Sequence, residues 1–183
     1  MCRIVGFWDF NFKNSYALDK TIVSMRDTLS HGGPDDAGIF IDKDLPLALG
    51  HRRLSILDLS PLGHQTMEFE NLVITYNGEV YNFKEIRRDL EAEGYKFVSN
   101  SDTEVILKAF QRWGFSAVHK ARGMFAFAIW DKKDKKLILC RDRIGVKPLY
   151  YYYKDGLFMF ASELKAFHKH PKFKKRLEAH AFK

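Results

Sequence analysis

Cysteine is scarce. The 183 residues contain two, Cys2 and Cys140, which allow at most one bridge and exclude both a disulfide framework and a cysteine-built zinc cluster. A reducing compartment suits both thiols. Long apolar runs are missing: nothing approaches the roughly 18 consecutive apolar residues of a membrane helix. The start, MCRIVGFWDFNFKNS, has no charged lead followed by a sustained apolar run. A soluble, cytoplasmic protein without a membrane partner is expected. His31, His51, His64, His168, His170 and His180 have no ligand-like spacing with carboxylates or cysteines, so no metal is expected. Acidic residues are few near the C-terminal end. Residues 164–183 hold seven Lys or Arg against the single acid Glu178, an excess of six within a whole-chain charge of +7. The other residues are therefore almost neutral in sum. A basic terminal segment of this kind reads as a solvated helix or linker, and no nucleic-acid partner is expected.

What is present is a folded globule. Aromatics are abundant, with 16 Phe, 8 Tyr and 3 Trp, and the length suits one domain with a real core. Residues 1–163 read as that domain and 164–183 as the start of a linker. The run from Ile4 to Phe10 is strand-like. Ser15 is placed to cap a helix reaching about Leu29, with Leu18, Ile22, Met25 and Leu29 at helical spacing, and Gly32, Gly33 and Pro34 end it. Strands are expected at 37–41, 47–56, 67–69 and 72–76. A second helix starts at Asn82 and a third at Ser101 or Asp102. Two hairpins then follow, around residues 132–135 and around Asp155 and Gly156, before a short helix from Glu163. Strands paired in hairpins with helices between them predict an α+β fold whose antiparallel sheets are covered by helices.

Position 2 carries the strongest chemical signal. Once Met1 is removed, Cys2 has a thiol and a free α-amine on one residue. The amine titrates near ~7.7–8.0 and the thiol near ~8.5, so the amine can take the thiol proton at neutral pH. In YNGEVYN (76–82), Asn-Gly reads equally well as an ordinary turn or as an amide and an unobstructed N–H for an oxyanion. In LGHRRLSILDL (49–59), two adjacent arginines on a strand must point to opposite faces, so one can meet a pocket and hold a carboxylate bidentately. Ser101 reads as a helix cap, and Asp102 as an anion able to face an ammonium. Cys140, within an apolar run, reads as an inert core residue.

With Cys2, HRRLSILDLS, YNGEVYN, NSDTEVIL, RGMFAFAIWD and RDRIGVKPLYY in this order, the whole chain resembles the amino-terminal glutaminase domain of glutamine-hydrolysing asparagine synthetases. These are class II glutamine amidotransferases of the N-terminal-nucleophile hydrolase fold. The resemblance implies a four-layer αββα sandwich with Cys2 at the start of a central strand. It implies Cys2 as nucleophile and base, and Asn77 with the N–H of Gly78 as oxyanion hole. Arg53 then holds the α-carboxylate of L-glutamine, and Glu79 and Asp102 receive its α-ammonium. No cofactor is implied for this domain. ATP and Mg belong to a synthetase domain, in cis or in trans, that takes the ammonia, and the basic tail with the apolar surface near RDRIGVKPLYY is implied as the place where it joins, unless the tail is only a truncated linker. Oligomerisation is left open.

Two positions depart from the family pattern. Arg3 stands where a small residue is usual, and HGGPDD has Gly32 where HRGPDD is typical. Compensation is expected, with Arg3 supplying a guanidinium from the other side, so that Arg3→Gly alone does harm. The rival to an active glutaminase is a glutaminase-fold domain serving as a binding or assembly module, since a retained Met1 ties up the Cys2 amine. An amino-sugar or purine-pathway glutaminase fits the SDTEVIL and GVKPLYY segments less well.

Overall fold

The structure is a computed structural model that describes residues 1–175; the end of the basic segment, 176–183, lies outside them. Among the described residues, nine strands form two antiparallel sheets. In the first the order is β2-β3-β1-β9-β8, with β1 (Arg3–Asp9), β2 (Asp36–Ile41), β3 (Leu47–Arg53), β8 (Tyr150–Lys154) and β9 (Leu157–Ala161). In the second it is β4-β5-β6-β7, with β4 (Met67–Phe69), β5 (Leu72–Val80), β6 (Gly123–Asp131) and β7 (Lys136–Arg141).

Alternation along the strands builds three apolar layers. Ile4, Leu47, Leu49 and Phe160 of the first sheet meet Val73, Ala126, Ala128 and Trp130 of the second, forming the layer between sheets. The opposite face of the first sheet, with Val5, Phe7 and Met159, packs under Ile22, Met25 and Leu29, of which α1 (Leu18–Asp27) supplies the first two. The outer face of the second sheet, with Ile74, Tyr76, Phe125 and Phe127, is covered by α2 (Phe83–Ala92), α3 (Asp102–Trp113) and α4 (Ser116–Lys120). Helix, sheet, sheet and helix are thus the four layers expected, and the class is α+β.

Boundaries differ from expectation where side chains compete with the backbone pattern. Ser15 does not cap α1; Ala17 occupies the N-cap in extended conformation, with no side-chain bond. Ser101 does cap α3, its hydroxyl accepting from the Thr103 N–H at 3.1 Å. β3 stops at Arg53 instead of running to Ile56, and β5 runs on through Asn77 and Gly78 to Val80. Asn77-Gly78 is therefore strand, not turn. Cys140 lies on the edge strand β7 and is only half-buried. Of the basic segment, Leu164–Lys169 form a 3-10 helix that buries Ala166 and Phe167 against the first sheet.

Candidate active site

Cys2 immediately precedes β1, and its sulfur sits at the end of β3, 3.4 Å from the Leu54 N–H and 3.5 Å from the Leu54 carbonyl. Burial raises its thiol pKa; the Leu54 N–H, the N-terminal charge and Arg53 pull it back. The thiol lines a small cleft with Arg53, Leu54, Gln65, Gly78, Glu79 and Asp102 among its walls. A larger open cleft around Asp42, Lys43, Lys132 and Lys133 has no cysteine in its lining, so the smaller one, which holds Cys2, is the candidate site.

Strand geometry explains what β5 presents there. The N–H and the carbonyl of Phe125 are both engaged by Asp142, at 3.2 and 2.7 Å. Phe125 pairs with Gly78, so this pair directs its peptide groups away from each other. The N–H groups of residues 76, 78 and 80 then point off the same edge of β5, beyond the short β4, whose pairing ends at Ile74. Tyr76 N–H donates to Gln65 Oε1 at 2.7 Å, and Val80 N–H to Asp102 Oδ2 at 2.9 Å. Between them, the Gly78 N–H faces the cleft, and among the described residues no side chain takes it. Glycine is needed here because a Cβ would lie 2.6 Å from the Met124 carbonyl oxygen. One residue earlier, Asn77 is 1 % exposed, and neither its amide nitrogen nor its amide oxygen has a partner. Among the described residues the only other such atom is Nδ1 of His51.

The charged groups divide by face. Arg52 turns outward, donating to the Gly33 carbonyl at 2.9 Å and approaching Asp27. Arg53 turns into the cleft, where its guanidinium donates to the carbonyls of Asp58 and of Ser60. Gly63 makes room, since a Cβ there would collide with the guanidinium. The Asp58 carboxylate ties this loop down by accepting from Asn100 N–H and Ser60, and these bonds hold its pKa below the usual value. Asp102, at the start of α3, accepts from the Tyr76 hydroxyl at 2.7 Å as well as from Val80. Burial nevertheless pushes its pKa up. Glu79 is raised by burial and by Asp102, with Lys147 opposing. One cation and two carboxyls thus face the same cleft as the thiol.

Sequence reading missed Gln65, Tyr76 and Lys147. Gln65 and Tyr76 are ordinary residues in apolar surroundings, and only the fold makes them the frame of the cleft. Lys147 stood in a segment read as an apolar joining surface. Ile144, Val146, Tyr150 and Tyr151 are indeed exposed there, but Lys147 is fully buried, with its ammonium against the sulfur of Met1. Its pKa is lowered by burial, against the pull of Glu79 and Cys2.

The fold and this cleft define a class, an αββα sandwich with a cysteine just ahead of its first strand. The family model of the glutamine amidotransferase domain matches residues 1–183, and the chain belongs to that family. It is 40% identical over 182 residues to asparagine synthetase [glutamine-hydrolyzing] 3 of Bacillus subtilis, covering 97% of this chain and 29% of that protein. It is 43% identical over 186 residues to a putative asparagine synthetase [glutamine-hydrolyzing] 2 of Methanocaldococcus jannaschii, covering 90% of this chain and 34% of that protein. The chain therefore spans about a third of the length of these relatives. Among solved structures, glutamine phosphoribosylpyrophosphate amidotransferase of B. subtilis aligns with a TM-score of 0.76 at 22% identity, over 91% of this chain and 43% of that one. That likeness concerns the fold.

Proposed function

We propose that this domain hydrolyses L-glutamine to glutamate and ammonia through a thioester on Cys2, and that ammonia passes to a synthetase portion making asparagine. The observation that carries the reading is the unpartnered Asn77 amide next to the cleft-facing Gly78 N–H, on the strand facing the thiol. Two donors kept free of partners suit an oxygen that becomes negative only during reaction.

In this scheme the Cys2 α-amine, freed by loss of Met1, takes the thiol proton. The thiolate attacks the γ-amide carbonyl, the oxyanion accepts from Asn77 Nδ2 and Gly78 N–H, and the ammonium on Cys2 protonates the leaving nitrogen. Ammonia departs, and water hydrolyses the thioester to glutamate. Arg53 leaves the Asp58 and Ser60 carbonyls to take the substrate α-carboxylate, while Asp102 and Glu79 take the α-ammonium, whose positive charge opposes the upward pull of burial on both carboxyls. The domain itself needs no cofactor; ATP and Mg go with the synthetase portion, in cis or in trans. A cytoplasmic location suits its two free thiols, and no described helix is long and apolar enough to cross a membrane.

A second reading is a binding or assembly module without turnover, which applies to a chain that keeps Met1, because the Cys2 nitrogen is then an amide and cannot act as a base. The test is glutamate and ammonia release from glutamine by the purified chain beside Cys2→Ala. Equimolar release that disappears in the variant supports the glutaminase. Stabilisation by glutamine without release supports the module.

A further inference from the structure

Arg3 follows the nucleophile directly, yet its side chain folds back over the chain start. Its Nε donates to Glu163 Oε1 at 2.7 Å, and its Nη1 donates to the carbonyls of Met1 at 2.8 Å and Cys2 at 3.1 Å. The space that it crosses belongs to Gly32. A Cβ added at Gly32 would lie 2.7 Å from Arg3 Cζ and 2.8 Å from both Cγ and Nε. Gly32 has no left-handed backbone to explain a glycine; room for the guanidinium does. The far end is anchored too. Glu163, two residues past β9, has Oε1 also 2.9 Å from His31 Nε2 and Oε2 3.1 Å from Lys165 Nζ. Three separate segments, β1, the turn after α1 and the end of β9, therefore meet on one side chain.

We infer that Arg3 is a positioning residue for Cys2, acting through the Cys2 carbonyl and requiring Gly32 as its counterpart. The inference rests on the reading of Cys2 as nucleophile. A guanidinium bonded at once to Glu163 and to the Cys2 carbonyl fixes the backbone torsion that sets where the thiol and amine point. Removal of Met1 takes away one acceptor and leaves these two. The volume admits one long side chain, supplied from position 3 or from position 32 but not from both. A merely structural ion pair predicts something else, because a partly exposed pair contributes little to stability and nothing to turnover.

The experiment compares wild type, Arg3→Gly, Arg3→Lys and the double variant Arg3→Gly/Gly32→Arg by kcat, KM for glutamine, thermal midpoint and the pH profile of Cys2 alkylation by iodoacetamide. Arg3→Gly should lower kcat roughly a hundredfold, with KM little changed, as expected for a misplaced reacting group. It should also move alkylation to higher pH, since the amine no longer meets the thiol. Arg3→Lys should recover part of the rate and the double variant most of it. Wild-type kcat and alkylation in Arg3→Gly, or a double variant no better than the single, would overturn the inference. Should Arg3→Gly not fold, Arg3→Lys decides: a single ammonium cannot span both acceptors, and full activity would overturn the role. If wild type releases no glutamate, the glutaminase reading has failed, and the alkylation profiles alone decide the role of Arg3.

Discussion

Asn77 is nearly inaccessible to water and both ends of its amide lack partners. A buried polar group left unsatisfied costs on the order of 1–3 kcal/mol, so its function can be separated from its contribution to stability. Asn77→Ala is expected to cut kcat by roughly 10²–10³-fold while leaving the thermal midpoint near that of wild type. A large loss of stability with turnover retained would contradict the oxyanion role. Asp102 should behave in the opposite way, because its carboxylate organises Tyr76 and Val80 and, in the proposed function, receives the substrate ammonium. Asp102→Asn should raise KM for glutamine far more than it lowers kcat, with a loss of binding of roughly 2–5 kcal/mol for removing one partner of a buried charge pair. The raised pKa of Asp102, caused by burial, places its protonation above the usual carboxylate range. On the acid side kcat/KM should therefore begin to fall before an ordinary aspartate would protonate, and Asp102→Asn should abolish that part of the limb.

At the scale of elements, the cleft depends on places where strands end or approach closely. Gly63→Ala would drive a methyl into the Arg53 guanidinium. The expected result is a higher KM for glutamine with little change in the far-ultraviolet spectrum, and an unchanged KM would show that Arg53 does not hold the substrate. Most elements were legible because the short apolar runs of β1, β6 and β9, bounded by turn residues, and the helical spacing in α1 to α3 are strong signals. The length of β5 was not. Asn-Gly carries a turn propensity that pairing of Gly78 with Phe125 and Glu79 with Met124 overrides. The individual residues Cys2, Arg53 and Asp102 could be picked out by chemical type. Their convergence came from the resemblance alone, because physically it depends on where β3 ends at Arg53 and on the way Asp142 closes the outer side of β6. Lys147 escaped notice for the same reason: nothing local predicts a buried lysine in a loop of exposed Ile144 and Val146.

The whole molecule carries a pH signature of its own. Burial holds His51 at about 3 and His170 at about 4, against 6.5 for a free imidazole. Nε2 of His51 donates to the Tyr76 carbonyl across the two sheets at 3.0 Å, so the neutral ring is part of the joint between them. Below about pH 6.5 the unfolded chain binds protons that the folded chain refuses, so stability falls as pH drops toward 4. Burial would raise the pKa of Glu163, but Arg3 and Lys165 outweigh it and hold it to about 2, so its contribution is lost later, as pH falls below 4.5 toward 2. Urea midpoints should decline steadily from pH 7 to pH 4. A folded His51→Gln protein should show a shallower decline, and equal slopes would contradict the assignment. The central claim is that an N-terminal thiol and its own amine do the chemistry, and it is tested most directly by glutamate release from preparations in which intact mass gives the fraction lacking Met1. Release rates proportional to that fraction are predicted, extrapolating to zero for the fully retained chain; equal rates with Met1 present, or no release once it is gone, would contradict the account.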